Sequence, residues 1–312
     1  MGKRFVCALF AVMLFLPLWE GASSVAFASE RGKVAPQHGK VMASNVGKWY
    51  VKRNRARAED ERRLALGSAS ALVIDQTTGA ALLEKQADVV APIASISKLM
   101  MAMVTLDAGL DMEEVIYIDA EDASSPRNVR SRLPVGVSMT RDTALLLALM
   151  SSENRAANAL GRNYPGGMEA FVRAMNRKAR SLGLEYTRFA EPTGLSPNNV
   201  STARDLAYLV MAAHQYPKIR EYSTMASVSI NMGERVLEFV NTNALVNNPQ
   251  WRIGLSKTGY LSAAGRCLVM QAWVAGRPVV MVFLDSNGKM TRVGDANRIK
   301  RWMEDEAAPR GT

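Results

Sequence analysis

The sequence predicts an α/β fold in which strands from both ends of the chain build a sheet around a helical insert. The apolar runs 71–75 and 80–84 flank the turn signal Gln-Thr-Thr-Gly, which indicates a β-hairpin. The runs 266–275 and 278–285, which meet at a Gly-Arg pair, indicate a second hairpin. Helical patterns fill the interval between the two hairpins. This order favours an α/β sandwich with a helical insert.

The helices are predicted from the spacing of their apolar residues. Residues 96–106 are nearly all apolar, which is typical of a helix buried on every side. Their methionines are best explained as core filler, because an unbranched thioether side chain fills irregular gaps. Residues 141–163, 168–182 and 203–216 have the pattern of amphipathic helices, and 291–304 has that of a closing helix.

The first 28 residues have the layout of a secretory signal peptide. A short basic start precedes the apolar run 5–18, and Ala-Phe-Ala at 26–28 fits a cleavage site before Ser29. The apolar run is shorter than the roughly 20 residues of a membrane-spanning helix. We therefore expect an exported protein, soluble or peripherally attached, with an uncleaved N-terminal anchor as the alternative.

The positive charge of the chain is concentrated after this leader. The formal charge is +10 overall, of which residues 29–66 supply +6 and residues 67–312 only +3. The segment 29–66 has few apolar residues and no sustained period, so we interpret it as a basic linker or arm. Its charge would suit contact with an anionic surface, such as phospholipid headgroups or an acidic wall polymer. An exported protein is not expected to meet nucleic acid.

Three short motifs occur in one order along the chain and together indicate acyl transfer to a serine. They are Ser95-Ile-Ser-Lys98, Ser152-Glu-Asn154 and Lys257-Thr-Gly259. A serine hydroxyl needs a nearby base to become a nucleophile. Ser95 and Lys98 are three residues apart, so a helix places them on one face. The later motifs supply a second serine, an amide and a second lysine.

The setting of the first motif separates it from a chance match. A second Ser-x-x-Lys, at 286–289, lies on a turn signal, where the two side chains need not face each other. Ser95 instead begins a buried helix, whose N-terminus favours developing negative charge by about 0.3–1 kcal/mol. Lys98 has apolar neighbours, so we expect desolvation to lower the pKa of its amine. A partly neutral Lys98 could then take the Ser95 proton.

The other two motifs depend more on position. Ser-x-Asn also occurs at 196–198, in a proline turn, and at 229–231, in a strand-like stretch. The copy at 152–154 lies between two helical patterns, so order and position select it. Lys-Thr-Gly at 257–259 occurs once, on a short strand-like run, and its glycine would let a ligand approach the backbone closely.

The sequence lacks the residues that a Ser-His-Asp triad or a metal site would need. The two histidines are His38 in the arm and His214 near a helix end, and there is no Gly-x-Ser-x-Gly elbow for a Ser-His-Asp triad. His-Glu-x-x-His and Cys/His clusters are absent, so we expect neither a metal nor another cofactor. Cys7 lies in the leader, which leaves Cys267 alone, without a disulfide partner, as a small core residue.

Longer blocks around the motifs resemble a known family, the D-alanyl-D-alanine endopeptidases of the penicillin-binding protein 7 type. These enzymes belong to the low-molecular-mass penicillin-binding proteins, or DD-peptidases. The resemblance covers roughly residues 67–305 and leaves out the arm. It rests on six blocks, at 92–100, 146–157, 164–167, 191–196, 201–206 and 257–260.

The resemblance implies a role for each residue of the first two motifs. Ser95 would be the nucleophile that forms the acyl-enzyme, and Lys98 would be its base. Ser152 would complete the proton network as a third catalytic residue. Asn154 would share in that network and hold the substrate.

The resemblance also implies substrate-binding roles for Lys257, Thr258, Gly259 and Tyr260. Lys257 would add positive charge, and Thr258 would bind the carboxylate end of the substrate. Gly259 would permit close approach of the ligand. The backbone N–H groups of Ser95 and Tyr260 would form an oxyanion hole, in which one donor can supply about 3–4 kcal/mol.

The fold and function implied by the resemblance are specific. The fold would be that of the serine β-lactamases and DD-peptidases, with a mainly antiparallel five-stranded sheet, flanking helices and a helical subdomain. The catalytic domain would be 67–312, with its helical insert at roughly 107–225. The activity would be hydrolysis of the D-alanyl–diaminopimelate cross-links of peptidoglycan in the periplasm. β-Lactams would mimic these stem peptides and inhibit the enzyme covalently.

Two alternative functions remain open. A D-alanyl-D-alanine carboxypeptidase would share the motifs, but such relatives carry a second β-rich domain and an anchor helix, for which we find no room after Glu304. A non-catalytic β-lactam- or muropeptide-binding sensor would belong to another class of protein. The intact Lys98 and Lys257 argue against the sensor, as does the lack of a transmembrane signalling segment. Without a Glu-x-x-Leu-Asn motif, rapid β-lactam hydrolysis is the less favoured activity.

Overall fold

The computed structural model describes residues 64–123, 131–232 and 235–308, which all lie in one compact unit, Tyr50–Thr312. The predicted leader and the predicted arm up to residue 63 lie outside the described residues. Within the three described ranges, no helix has both the length and the apolar character needed to cross a membrane.

A five-stranded antiparallel sheet with the strand order β2-β1-β11-β10-β9 organises the structure. The pairs β3–β6, β4–β5 and β7–β8 form small two-stranded sheets. In chain order the strands are β1 (Ser68–Asp75), β2 (Ala81–Lys85), β3 (Ala91–Pro92), β4 (Val115–Tyr117), β5 (Ser138–Thr140), β6 (Val200–Ser201), β7 (Ser227–Asn231), β8 (Val236–Val240), β9 (Arg252–Leu261), β10 (Gly265–Val274) and β11 (Arg277–Ser286).

Both predicted hairpins are present. Strands β1 and β2 pair antiparallel, and the Asp75 carboxylate accepts hydrogen bonds from the backbone N–H groups of Thr77 and Thr78 in the turn. Strands β10 and β11 pair as predicted, but their turn lies one residue earlier than the Gly-Arg pair. Ala275 and Gly276 occupy it with φ of 49° and 74°, because a two-residue turn that fits the strand twist needs positive φ at both positions.

The helices pack on both sides of this sheet. The span predicted as one helix at 141–163 is divided, because the backbone leaves the helical conformation at Ser151–Glu153. In chain order the helices are α1 (Ser97–Asp107), α2 (Ala120–Ala123), α3 (Arg141–Met150), α4 (Asn154–Arg162), α5 (Gly167–Ser181), α6 (Ala203–Ala213), α7 (Pro217–Thr224) and α8 (Thr291–Ala307).

Two apolar layers hold the α/β sandwich together. One contains the buried helix α1 and the sheet residues Leu255, Val269 and Val282. The other lies between the opposite face of the sheet and helix α8. Leu64 and Leu66, which the sequence analysis assigned to the arm, are both 7% exposed and belong to this second layer. The packed part of the chain therefore includes residues ahead of 67.

Candidate active site

Ser95 lies in a short 3-10 turn, Ala94–Ile96, that runs directly into helix α1. The sequence analysis placed Ser95 at the start of this helix, but the α-helix itself begins at Ser97. Ala94 has φ of 48°, a left-handed conformation that costs a non-glycine residue energy. On strand β9, a Cβ at Gly259 would lie 3.0 Å from the Ser95 nitrogen. The absence of a side chain there lets the edge strand approach the serine.

The Lys98 amine is the centre of the site. Lys98 is fully buried, and its Nζ lies 3.0 Å from Ser95 Oγ, 2.7 Å from Asn154 Oδ1 and 2.6 Å from the Thr193 carbonyl oxygen. The amide and carbonyl oxygens can only accept hydrogen bonds. A neutral amine therefore donates its two hydrogens to Asn154 and Thr193. Its lone pair then points at the Ser95 hydroxyl.

The electrostatic environment of Lys98 favours this neutral form. Burial lowers the pKa of Lys98 to about 7, because desolvation penalises the charged amine. The negative charges of Glu191 and Glu153 oppose the shift and raise the pKa. Since these opposing effects leave the pKa close to neutral pH, Lys98 has the protonation equilibrium that a general base requires.

Ser152 occupies the break between helices α3 and α4. Its φ is 62°, which costs a non-glycine residue about 1–3 kcal/mol. This conformation ends α3, and Asn154 then begins α4. Ser152 and Asn154 line the same cleft as Ser95. The strained turn thus places Ser152 and Asn154 in the cleft that contains Ser95.

The third motif lies on β9, the edge strand of the sheet. Lys257 is 1% exposed, and burial holds its pKa well below the usual range, with a further decrease from the charges of Lys98 and Arg292. Its Nζ donates to the Thr258 carbonyl at 3.2 Å. The Thr258 hydroxyl donates to Thr242 Oγ1 at 2.6 Å. Lys98 and Lys257 are therefore both buried below the cleft, and neither is among the residues that line it.

The cleft brings the predicted residues together around a volume of about 740 Å³. Six of the eight candidate residues line it directly, and Lys98 and Lys257 are buried below it. A larger cleft of about 1120 Å³ lies between α5 and the segment 183–200, and it contains none of the candidate residues. The candidate cleft is lined by Ser95, Ser152, Asn154, Leu195, Thr242, Thr258, Gly259, Tyr260, Leu261, Ser262 and Arg292.

Sequence reasoning missed the role of Glu191. Its carboxylate accepts backbone hydrogen bonds from Thr193 at 2.6 Å, Gly194 at 2.7 Å and Ser196 at 3.1 Å. The side chain of Asn199 donates to the same carboxylate at 3.1 Å. This network fixes the loop that aims the Thr193 carbonyl at Lys98. In the sequence, Glu191 begins the block 191–196 on which the family resemblance rests, but nothing in that block assigned it a role.

Arg292 was also missed. It is the second residue of α8, and its Nη1 donates to the Gly259 carbonyl at 3.0 Å. Burial and the nearby charge of Arg266 lower the pKa of Arg292. In the sequence it is one basic residue in an amphipathic helix, which gives no sign that it faces the cleft.

Among the described residues, no cluster of three or more His, Cys, Asp or Glu side chains could hold a metal ion.

Comparison with known proteins agrees with this geometry. Residues 55–288 match the model of the peptidase family S11, described as D-alanyl-D-alanine carboxypeptidase. The chain belongs to this family. Over 241 residues it is 52% identical to the D-alanyl-D-alanine endopeptidase of Pseudomonas aeruginosa and 47% identical to that of Escherichia coli. Each alignment covers 77% of this chain and 78% of the relative.

A solved DD-transpeptidase structure has a similar fold. The crystal structure of the Streptomyces K15 DD-transpeptidase superposes with a TM-score of 0.72 at 25% identity, covering 77% of this chain and 98% of that one. The predicted family and the predicted DD-peptidase-like α/β fold are therefore confirmed. This S11 peptidase has the serine and the buried lysine of its first motif in hydrogen-bond contact.

Proposed function

We propose that this S11 peptidase is a serine DD-endopeptidase that hydrolyses D-alanyl–diaminopimelate cross-links of peptidoglycan through an acyl-enzyme on Ser95. The observation that carries the proposal is the buried Lys98 amine, 3.0 Å from Ser95 Oγ and with a pKa of about 7. The cutting of cross-links is supported by two relatives named D-alanyl-D-alanine endopeptidase at 52% and 47% identity.

In the acylation step, neutral Lys98 takes the proton of the Ser95 hydroxyl. Ser95 Oγ then attacks the carbonyl carbon of the D-alanine residue that donates the cross-link. The carbonyl oxygen becomes an oxyanion, for which we propose the backbone N–H groups of Ser95 and Tyr260 as donors. Collapse of this intermediate breaks the amide bond and leaves an ester on Ser95.

The leaving amine of diaminopimelate needs a proton as that bond breaks. We propose that Ser152 relays the proton from Lys98 to the amine, because Ser152 lines the cleft beside Ser95. Asn154 holds the Lys98 amine in place through its 2.7 Å hydrogen bond. Water then hydrolyses the ester, with Lys98 as the base for the second time. The cycle regenerates the Ser95 hydroxyl.

The basic residues in and below the cleft suit a carboxylate on the substrate. Lys257 lies beneath the edge strand, and Arg292 and Thr258 line the cleft above it. We propose that Thr258 and Arg292 bind the carboxylate next to the leaving amine. The negative charge of this carboxylate would oppose the effect of burial on Lys257 and favour the charged form of its amine. A planar guanidinium matches a carboxylate with two parallel hydrogen bonds.

A D-alanyl-D-alanine carboxypeptidase is the second candidate, because the family model carries that description. Digestion of purified muropeptides separates the two activities. Cleavage of a cross-linked dimer into monomers supports the endopeptidase. Loss of a single D-alanine from a pentapeptide, with the dimer left intact, would replace it with the carboxypeptidase. Loss of all turnover in Ser95→Ala, with penicillin labelling also lost, checks the nucleophile.

The location of the enzyme is also a proposal. We propose that residues 1–28 direct export to the periplasm and that residues 29–63 form a basic arm ahead of the catalytic domain, since Leu64 and Leu66 pack in its core. The +6 formal charge of 29–66 supports peripheral contact with an anionic surface, such as phospholipid headgroups or wall polymer. β-Lactams would acylate Ser95 as substrate mimics.

A further inference from the structure

The mouth of the catalytic cleft carries two neighbouring positive charges. Arg292 lines the cleft, and the charge of Arg266 lowers the pKa of Arg292, so the two guanidinium groups lie within electrostatic range. Within the described residues, neither forms an ion pair; the Asp285 carboxylate packs against Gly265 instead. Two like charges without a carboxylate partner form a local positive potential that would attract an anion.

Arg266 is held in place by an aromatic ring. Its Cζ lies 4.4 Å from the centroid of the Tyr260 ring. The two residues are direct partners across β9 and β10, so their side chains share one face of the sheet. Stacking fixes the plane of the guanidinium but leaves its edge free to donate hydrogen bonds. Tyr260 is 57% exposed, so this pair is open to a ligand.

The position of the Arg266–Tyr260 pair determines how long a leaving group must be to reach Arg266. Tyr260 and Arg292 line the cleft, whereas Arg266 stacks on the Tyr260 ring and is not among the lining residues. A ligand that ends inside the cleft meets Arg292 and not Arg266. A ligand that continues past Tyr260 also meets the Arg266 guanidinium.

The two candidate leaving groups differ in this respect, and the following step rests on the proposed function. A D-alanine leaving group is one residue long and has one carboxylate. A diaminopimelate leaving group continues as a stem peptide, which brings further carboxylates beyond the one beside the scissile bond. We propose that Arg266, stacked on Tyr260, is a specificity-determining residue that binds a second carboxylate of the cross-linked leaving peptide.

The structure offers a matched control for testing this subsite. Arg252 and Trp273 form an equivalent stack at the other end of the same two strands, with Arg252 Cζ 4.5 Å from the ring centroid. Arg266→Gln and Arg252→Gln each remove one cation from an aromatic ring. Only the first removes it from the mouth of the cleft. Arg266→Lys keeps the charge without the planar fork.

The experiment measures binding by calorimetry in a Ser95→Ala background, so that no turnover is needed. Arg266→Gln should raise the Kd of a cross-linked muropeptide dimer about ten-fold, the effect of one hydrogen bond between charged groups. It should leave the Kd of a monomeric pentapeptide within about two-fold of its starting value. Arg266→Lys should recover part of the loss, and Arg252→Gln should change neither Kd.

Each outcome bears on the subsite separately from the activity. An unchanged dimer Kd in Arg266→Gln would overturn the proposal, and so would an equal loss for dimer and pentapeptide, which would indicate a structural role. Hydrolysis of the dimer by the wild-type enzyme tests the proposed function independently. If the wild type cuts no dimer while Arg266→Gln still weakens dimer binding selectively, the subsite stands and the endopeptidase assignment fails.

Discussion

Gly194 lies directly against the carbonyl group of Ala94. A Cβ at Gly194 would be 1.9 Å from the Ala94 oxygen, far inside any real contact, and Gly194 has φ of 84°. The loop that carries the Thr193 carbonyl therefore packs on the peptide bond that precedes Ser95. Gly259 also packs against this segment, since a Cβ there would lie 3.0 Å from the Ser95 nitrogen. Two glycines hold the backbone of the nucleophile between the loop and the edge strand.

We expect Gly194→Ala to disrupt the site much more than a change of backbone conformation alone would. Gly136 has a closely similar φ of 88°, but a Cβ there would meet no heavy atom within 4 Å. Gly136→Ala should cost only the strain of a left-handed alanine, about 1 kcal/mol. Gly194→Ala should add the clash with Ala94 and reduce penicillin acylation by at least about ten-fold. Thermal unfolding and acylation rates measured on both variants check this; equal effects would contradict it.

The pH dependence of acylation should follow the Lys98 amine. With a folded-state pKa of about 7, the amine is mostly protonated at pH 6 and mostly neutral at pH 8. The acylation rate should therefore rise through pH 7 and level off above it. Lys98→Arg keeps the charge but removes the titration, because a guanidinium stays protonated. Its acylation rate should fall by at least about 100-fold. A near-normal rate in Lys98→Arg would mean that another group is the base.

Glu191→Gln should change both the rate and its pH dependence. A carboxamide offers one acceptor oxygen, so it cannot satisfy the donors on both oxygens of the carboxylate. The Thr193 carbonyl should lose its fixed position, and the plateau rate should fall by about ten-fold. The negative charge of Glu191 raises the pKa of Lys98, so its removal should shift the acid limb to lower pH. Stopped-flow acylation rates measured across pH 5–9, at intervals of about half a pH unit, test both the plateau rate and the position of the acid limb.

The matched control for Glu191 is Glu185, an exposed residue of the same segment. Glu185→Gln should leave the rate and the acid limb unchanged. If Glu191→Gln lowers the plateau without moving the acid limb, Glu191 acts only by holding the loop. If neither quantity changes in a folded variant, the loop does not depend on this carboxylate.

The candidate residues that the sequence predicted all lie in short motifs, whose members are close together along the chain. Ser95 and Lys98 are one helical turn apart, so local geometry alone brings them together. Thr193 is 95 positions from Lys98, and its backbone carbonyl has no side-chain signature. Arg292 reaches the cleft only because helix α8 begins beside β9. Such contacts depend on tertiary packing, which periodicity does not encode.

The fold was predictable to the same extent. Turn chemistry identified both hairpins, because a polar turn between apolar runs is a local signal. The break at Ser152 was predicted only in part: 141–163 was given as one helical span, although the second motif was placed between two helical patterns. The polar residues at 151–154 permit a break, but they do not indicate that Ser152 adopts a strained φ. Strain of this kind is more readily explained by the function of the site than by local propensity.

Ser152 therefore provides a test of strain against chemistry. Ser152→Ala and Ser152→Gly both remove the hydroxyl, and each should reduce turnover of a muropeptide by about 100-fold. Glycine adopts φ of 62° without strain, whereas alanine adopts it only at an energetic cost. Ser152→Gly should thus be more stable than Ser152→Ala by about 1 kcal/mol, measured by urea unfolding. Equal stabilities would show that the left-handed conformation relaxes when the hydroxyl is lost, and wild-type turnover in either variant would remove Ser152 from the proton relay.

The basic arm should govern where the enzyme binds and not how it cuts. Its centre contains four basic residues, Lys52, Arg53, Arg55 and Arg57. Replacing all four with Gln should leave turnover of a small soluble muropeptide unchanged, because none belongs to the three motifs. The variant should bind intact sacculi or anionic vesicles more weakly than the wild type at low salt. The difference should vanish near 1 M salt, where the screening length is about 3 Å. Co-sedimentation across a salt series measures this, and equal binding at every salt concentration would make the arm a spacer without an electrostatic role.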